Sequence, residues 1–268
     1  AQKVVEGLVA TLPTYLQHMK DSNSVLVNDI QRLSQNYLLS EIDVSHVHRL
    51  QSELDSLEES VLALTSEQEE YFEPYSLLEE RLENLQATLK EIEDEQVELS
   101  QRLAQIEKDD INARQKANVY VNRLHTIKRY MEKRNLPGIP QNFLQLFFTA
   151  SNHTEELMAE LEEAQVNIEV VNRMLEITTN DMEALEDETY DIVKYATLTE
   201  QLLQYSNRYR SFDERIQEAF NESLEIFEKE FDYHASFDKI SQALEVAEPG
   251  VTNRFVTSYE KTRETIRF

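Results

Sequence analysis

Apolar residues recur along most of the chain at alternating steps of three and four. Between Val47 and Ile106, steps of three and four residues select 18 positions, and 16 of these are apolar or aromatic. A repeat of 3.5 residues held over this length is typical of a helix buried along one narrow seam against other long helices. The spacing continues to Met131 and stops at Asn135–Pro140, where proline and glycine end a helix.

Two further runs follow the same rule. The second run, from Phe143 to Leu203, predicts one continuous helix, and the third begins at Phe212 and predicts a long helix whose tail breaks at Glu248–Gly250. Three helices of equal length, about 90 Å at 1.5 Å per residue, favour one slender antiparallel three-helix bundle. They lie near residues 75–135, 141–204 and 209–268.

The N-terminal part predicts the end of a preceding bundle. Helical spacing from Val5 to Tyr37 and a polar turn at Ser40–Ser45 predict a helix that packs on the start of the long seam. Pro74 removes one intrahelical hydrogen bond and marks a boundary between repeats. We therefore predict an elongated all-α chain whose three-helix bundles share long helices. The end of one repeat occupies residues 1–74, and the C-terminal triple-helical repeat occupies residues 75–268.

Some local features leave this division open. Lys108–Asp110 and Thr178–Asp181 hold residues that favour helix starts, so that each is a candidate for a turn hidden in a regular register. The chain begins at Ala1, in mid-pattern and without Met, which we interpret as a piece of a longer protein. Unbroken heptads also allow self-association as a homodimer.

Composition narrows the possible functions. The 268 residues include 52 acidic and 26 basic side chains, a net charge of −26, which excludes bulk electrostatic binding to DNA or RNA. Only three glycines and five prolines are present, too few turn residues for sandwiches, barrels or doubly wound sheets. The absence of cysteine excludes disulfides and thiolate chemistry.

The chain offers no recognisable catalytic motif. None of its six histidines completes the Glu-x-x-His motif of di-iron bundles, so a metal-dependent oxidase is disfavoured. Its glycines, at positions 7, 138 and 250, form no nucleophile elbow, Walker loop or dinucleotide fingerprint. We expect an interaction protein with no catalytic residues, no metal and no cofactor.

Charges are unevenly distributed along the chain. Residues 53–109 carry a net charge of −14 and residues 155–191 a net charge of −12, whereas residues 111–135 carry +6. Two interpretations remain open: basic and acidic helices of one bundle face each other, or the basic segment is a docking stripe for a partner. The candidate stripe comprises Arg123, Lys128, Arg129, Lys133 and Arg134.

An uncharged stretch, Asn135–Thr154, also has two interpretations. Pro137, Gly138 and Pro140 argue against a membrane span. Its apolar residues either close the end of the bundle as a hydrophobic plug, which we favour, or dip into a bilayer surface, although the basic face of an interfacial helix is missing.

A third candidate site concentrates tyrosine and arginine, the residue types enriched at interface hot spots. Either this segment binds a partner, or it is a helix reversal whose arginines satisfy terminal carbonyls. The segment comprises Gln204, Tyr205, Ser206, Asn207, Arg208, Tyr209 and Arg210.

Three strings resemble the EzrA family of septation ring formation regulators from low-GC Gram-positive bacteria. They are KRNLPGIP at Lys133–Pro140, QYSNRYR at Gln204–Arg210 and YEKTRETIRF at Tyr259–Phe268. The resemblance implies spectrin-like triple-helical repeats and places the chain in the C-terminal part of the cytoplasmic region. In that family, a glutamine-asparagine-arginine patch is associated with placement at mid-cell, and it maps onto Gln204, Asn207 and Arg208.

The same resemblance implies a function. It implies a scaffold that restrains assembly of the tubulin-like protein FtsZ and contacts other division proteins at the septum. The family's N-terminal membrane anchor would hold the parent protein on the cytoplasmic face of the membrane. The alternative is a passive spacer, similar to cytoskeletal spectrin, with no docking site of its own.

Overall fold

The structure is a computed structural model that describes residues 2–70, 75–133, 140–208, 213–230, 233–247 and 250. All regular secondary structure in these ranges is helical, which confirms the predicted all-α class. The assignment to spectrin-like repeats remains a prediction. The helices are α1 (Gln2–Leu33), α2 (Glu41–Glu70), α3 (Tyr75–Lys133), α4 (Gln141–Leu161), α5 (Ile168–Arg208), α6 (Asp213–Glu230) and α7 (Tyr233–Ala247).

The chain divides into two compact units. Unit 1 comprises Ala1–Asn112 with Glu160–Val171, and unit 2 comprises Ala113–Ala159 with Asn172–Phe268. The predicted repeat boundary at Pro74 lies outside the described residues. The division into repeats 1–74 and 75–268 therefore remains a prediction.

In unit 1, three helices pack around the predicted seam. Helices α1 and α2 run antiparallel, and α3 runs parallel to α1, as contacts between side chains of different helices show. These pairs are Lys20 with Glu58 and Asn23 with Gln51 between α1 and α2, and Tyr15 with Glu93 and Arg32 with Glu107 between α1 and α3. The core of the seam is formed by leucines that are fully buried, among them Leu50, Leu54, Leu82, Leu89 and Leu99.

The first helix reversal occupies residues 34–40. Helix α1 ends at Leu33, four residues before the predicted end, and the Tyr37 N–H donates a hydrogen bond of 2.8 Å to the Leu33 carbonyl. The Ser40 hydroxyl accepts a hydrogen bond of 3.2 Å from the Ile42 N–H. Ser40 therefore caps α2. The turn predicted at Ser40–Ser45 is wrong, because α2 already begins at Glu41 and the chain reverses earlier, at residues 34–40.

The second helix reversal corrects a prediction. The continuous helix expected over residues 141–204 is wrong, because α4 ends at Leu161 and α5 begins at Ile168. The Val170 N–H donates to the Asn167 side chain (3.3 Å), which caps α5. Leu161 and Ile168 are seven residues apart, so the break preserves the heptad spacing. Within the break, Ala164, which the spacing placed in the core, is exposed.

The two reversals are joined through their backbones. The Leu38 N–H donates to the Val166 carbonyl (2.9 Å), and the Val166 N–H donates to the Asn36 carbonyl (2.8 Å). The Tyr37 hydroxyl adds a hydrogen bond of 2.8 Å to the buried Asp110 carboxylate on α3. These bonds explain why residues 160–171 belong to unit 1 rather than to unit 2.

Neither of the two suspected turns exists, since α3 and α5 are helical throughout those segments. At Lys108–Asp110, the Asp109 carboxylate accepts a hydrogen bond of 2.7 Å from Gln105, one turn earlier. At Thr178–Asp181, the Thr178 hydroxyl donates to the Met174 carbonyl at 2.7 Å. Both side chains therefore bond within their own helix instead of capping a new one.

The third predicted helix, over residues 209–268, is also wrong. Helices α6 and α7 pack against each other, and the Ser223 and Ser236 hydroxyls each donate to the other residue's carbonyl oxygen, at 3.4 and 3.0 Å. An ion pair between Lys239 and Glu222 lies beside these bonds. The described part of this segment is therefore a helical hairpin.

Candidate functional site

The part of α5 from Ile192 to Leu202 is buried on several faces, unlike the single-seam helices of unit 1. Off-seam residues are covered as well as seam residues, among them Val193, Tyr195 and Leu198, each 1% exposed. Apolar residues on more than one helical face signal a helix enclosed by its neighbours. That signal is present in the sequence, and the heptad analysis missed it because it followed only one stripe.

The hairpin of α6 and α7 supplies part of this enclosure. The ring of Tyr195 stacks on that of Phe227 from α6, with centroids 4.1 Å apart and planes within 3°. The ammonium group of Lys194 lies 4.0 Å from the ring centre of Phe237 on α7, a cation–π contact. These contacts fix the hairpin to the C-terminal half of α5.

A group of carboxylates lies just before this enclosed stretch. Burial raises the pKa of Asp191 above its usual range, and the charges of Glu188 and Asp187 raise it further, while His234 and Lys194 oppose the shift. Asp187 is exposed, and so is Glu183 one turn earlier. Neither of these two has an ion pair among the described residues.

The predicted Gln204–Arg210 segment lies immediately after the enclosed stretch. Its first five residues are helical, since α5 continues to Arg208, so the predicted loop begins later than expected. The Gln204 side chain is exposed. The side chains of residues 205–208, and Tyr209 and Arg210 entirely, lie outside the described residues. Partner binding by this segment remains a prediction. The heptad spacing placed Leu203 on the seam, and this is wrong, because Leu203 is 47% exposed.

The structure divides the predicted basic stripe. Arg123 is largely buried and lies 3.6 Å from Glu186 on α5, an ion pair between helices of the same unit. Lys128, Arg129 and Lys133 are exposed on the last turns of α3. These three make no ion pair within the described ranges, and Arg134 lies outside them. Arg123 thus fits the facing-helix interpretation, and the other three remain candidates for docking.

The start of α4 agrees in part with the predicted plug. Phe143 and Phe147 are buried, whereas Phe148 is 58% exposed and packs edge-on against Phe147. The two leucines of this stretch, Leu144 and Leu146, are half-buried. The segment therefore contributes mainly to the core of unit 2.

The histidines whose contacts are described serve as hydrogen-bonding groups between helices. His153 on α4 contacts the Asp181 carboxylate on α5, and His46 Nε2 lies 2.7 Å from Glu95 on α3. Within the described part of the chain, no three His, Asp or Glu side chains are grouped as a metal site would require. Across the same residues, no helix combines the length and apolar character that crossing a bilayer needs.

Comparison with known proteins gives a consistent result. Residues 1–259 match the family described as "Septation ring formation regulator, EzrA". The chain is 77% identical over 268 residues to proteins of that name from Streptococcus pneumoniae strains Hungary19A-6, G54 and ATCC 700669. It is covered completely in each match but spans only 47% of each relative. No solved structure matches the chain.

Proposed function

The chain belongs to the EzrA family of septation ring formation regulators, and from that premise we propose that it is a helical scaffold that restrains assembly of the FtsZ ring and links it to the division machinery. The observation that carries this proposal is the family match over residues 1–259 together with 77% identity over the whole chain. Because the chain spans about half of its relatives, the activity of a whole family member belongs to the proposal.

The proposed partners are FtsZ and other division proteins, and the proposed location is the cytoplasmic face of the membrane at the septum. Attachment would depend on an N-terminal anchor of the parent protein. The role proposed here is steric: a helical body that occupies the surface of FtsZ filaments disfavours their lateral association. A body with tight heptad packing suits this role because its helices resist bending.

The partner-binding residues that we propose are Gln204–Arg210, with a second contact through the exposed cations at the end of α3. Two observations support the first assignment. Gln204 is exposed, and the preceding helix is held by the stacking of Tyr195 on Phe227, so α5 enters the segment from a rigid support. A preorganised segment loses less conformational entropy when it binds a partner.

The test replaces Asn207 and Arg208 by alanine in the full-length parent protein, with a fluorescent tag. We expect septal placement to be lost while the circular dichroism and melting temperature of the 268-residue chain are unchanged. The matched control is Asn221→Ala with Arg215→Ala, two exposed residues of α6, which should leave placement intact.

A second measurement tests the action on FtsZ. Addition of the purified chain to polymerising FtsZ should reduce the amount of polymer that sediments. An unchanged pellet, together with normal placement of the Asn207/Arg208 variant, would contradict the proposal and leave the passive spacer as the better account.

A further inference from the structure

Helices α1 and α3 of unit 1 leave a groove between them on the surface of the bundle. Its deeper part has a volume of about 360 Å³. Met19 and Leu26 line this part and are buried, whereas Val25 and Val97 line it and are 58% and 52% exposed. The groove thus combines buried apolar residues with two valines that remain open to water.

Small and polar residues keep this groove open. Ser22 on α1 and Ser100 on α3 line it, and a serine side chain fills far less space than the leucines of the seam. At the same level, Gln96 occupies a seam position, and its side-chain amide donates a hydrogen bond of 2.9 Å to the Met19 carbonyl of α1. The local sequence therefore holds α1 against α3 without filling the surface above them.

A second hollow, of about 340 Å³, continues the groove toward the start of α3. It is lined by Tyr15 and by α3 residues between Glu83 and Lys90. The Tyr15 hydroxyl donates a hydrogen bond to Glu93, which lines the deeper part, so the two hollows adjoin. From Glu83 to Gln101 the groove follows α3 for about 27 Å at 1.5 Å per residue, which matches about five turns of a second helix lying alongside.

The rims of the groove carry more acidic than basic groups. Asp21 on α1 and Glu83 and Asp94 on α3 are exposed. Residues 83 and 94 differ by 11 positions, about three helical turns, so these two carboxylates lie on one side of α3. Lys90 lies 3.1 Å from Asp94, whereas Asp21 and Glu83 make no ion pair among the described residues. The groove therefore favours an occupant with positive charge at its edges.

We propose that this groove binds a basic amphipathic helix of a partner protein. The apolar face of that helix would cover Val25 and Val97, as in other complexes where a helix lies in a groove and inserts apolar residues one turn apart. Its lysine or arginine side chains would contact Asp21, Glu83 and Asp94. This surface is distinct from Gln204–Arg210, and the inference does not depend on the proposed action on FtsZ.

Other occupants fit the groove less well. A small molecule is disfavoured because the groove runs along an open surface, whereas ligand pockets enclose most of their ligand. An anionic bilayer would meet carboxylates of the same sign on both rims. A second copy of the chain brings a net charge of −26 to an acidic surface.

The test uses a fluorescently labelled helical peptide of about 18 residues, the length of the groove at 1.5 Å per residue. The peptide has leucines along one face and lysines on both flanks, and fluorescence anisotropy follows its titration with the 268-residue chain. We expect saturable binding. The same peptide with glutamate in place of lysine should not bind, and serine in place of leucine should weaken binding by at least about tenfold.

The decisive variant is Val25→Asp with Val97→Asp. This change removes the apolar contact and adds negative charge. Binding in the groove should weaken by at least about tenfold, because the new carboxylates would be buried against leucine side chains. Attraction by net charge alone would become stronger. The matched control is Ile111→Asp with Ile177→Asp, at two exposed apolar residues outside the groove, which should not weaken binding.

A second pair of variants tests the rims. Glu83→Lys with Asp94→Lys should weaken binding by about tenfold and reduce its dependence on salt, since attraction becomes repulsion along one rim. Glu156→Lys with Glu176→Lys makes the same change in net charge at two exposed carboxylates of unit 2. This control should have a much smaller effect. Circular dichroism checks that every variant is folded.

Four results would overturn the inference. The first is no saturable binding of the lysine-flanked peptide, and the second is unchanged or tighter binding by Val25→Asp/Val97→Asp. The third is an equal loss of binding in the groove variants and in their controls. The fourth is a sedimentation experiment in which Val25→Asp/Val97→Asp converts a dimeric chain into a monomer, which would assign the groove to a second copy.

Discussion

The two halves of α3 share one heptad seam but use their charges differently. In unit 1, charged side chains beside the seam pair with residues of neighbouring helices. Arg49 on α2 lies 2.7 Å from Glu95 on α3, and Arg102 on α3 lies 3.1 Å from Asp43 on α2. The acidic half of α3 is thus partly neutralised within its own bundle.

In unit 2, Arg123 in the basic half of α3 pairs with Glu186 on α5, while Lys128, Arg129 and Lys133 lie exposed. This difference shows that the position of a charged residue beside the heptad seam does not by itself determine whether the residue forms an ion pair. A basic residue forms an interhelical ion pair where a neighbouring helix presents a carboxylate. Where no neighbouring helix does so, the same type of residue is available to contact a partner.

The largest expected effect tests what the two halves have in common. Leu99→Ala in unit 1 and Leu124→Ala in unit 2 should each lower the free energy of unfolding by about 2–5 kcal/mol, because each removes a buried side chain and leaves a cavity. Urea denaturation followed by circular dichroism measures the change. Val97→Ala, at a residue 52% exposed, is the control and should cost far less. A small effect at either leucine would mean that its half lacks a packed seam.

An intermediate effect concerns the ion pairs of unit 1. The Glu95 carboxylate lies 2.7 Å from the His46 ring and 2.7 Å from the Arg49 guanidinium. Glu95→Gln should lower the free energy of unfolding near neutral pH by less than about 1 kcal/mol, since the carboxylate is partly exposed. Glu91→Gln, at an exposed carboxylate without an ion pair among the described residues, should have no measurable effect.

The effect of Glu95 should also depend on pH. The hydrogen bond from His46, aided by Arg49, lowers the pKa of Glu95 in the folded protein. A carboxylate with a lowered pKa stabilises the fold fully above its unfolded pKa of about 4.3 and loses that contribution as the pH falls through the folded pKa. The difference between wild type and Glu95→Gln should therefore shrink in urea titrations carried out below pH 4. A difference that grew on acidification would contradict this assignment.

The smallest effect is expected in the basic half of α3. Lys128→Ala with Arg129→Ala should change the free energy of unfolding by no more than about 0.5 kcal/mol, because these side chains have no described partner whose loss would be felt. Thermal and urea unfolding measure it. A loss comparable to that of a core leucine would show that these cations serve the fold, and would remove the contrast between the two halves.

The heptad spacing predicted the core well, because a seam position must face another helix wherever the helix continues. It predicted poorly where the chain turns. The reversal at residues 162–167 went undetected because Leu161 and Ile168 keep the heptad distance, although Asn167 is a capping residue that marks a helix start. Conversely, Asp109 and Thr178 suggested turns, but their side chains bond within a continuous helix.

The sequence predicted which residues belong to the candidate site but not how they are arranged in space. The sequence located the Gln204–Arg210 segment and the basic stripe, but not the enclosure of α5 that precedes that segment. The stacking of Tyr195 on Phe227 joins residues 32 positions apart. This contact forms because α6 and α7 fold back onto α5. The periodicity of apolar residues along the chain does not show which distant helices pack together.

By itself, the sequence determined the all-α class, the residues that form the seam and the family, because helical periodicity and shared strings are local properties of the chain. Tertiary structure alone decided where the helices reverse, which α5 faces are covered and which charges find a partner. Each of these depends on which distant segments come together, since burial and ion pairing are properties of neighbours in space.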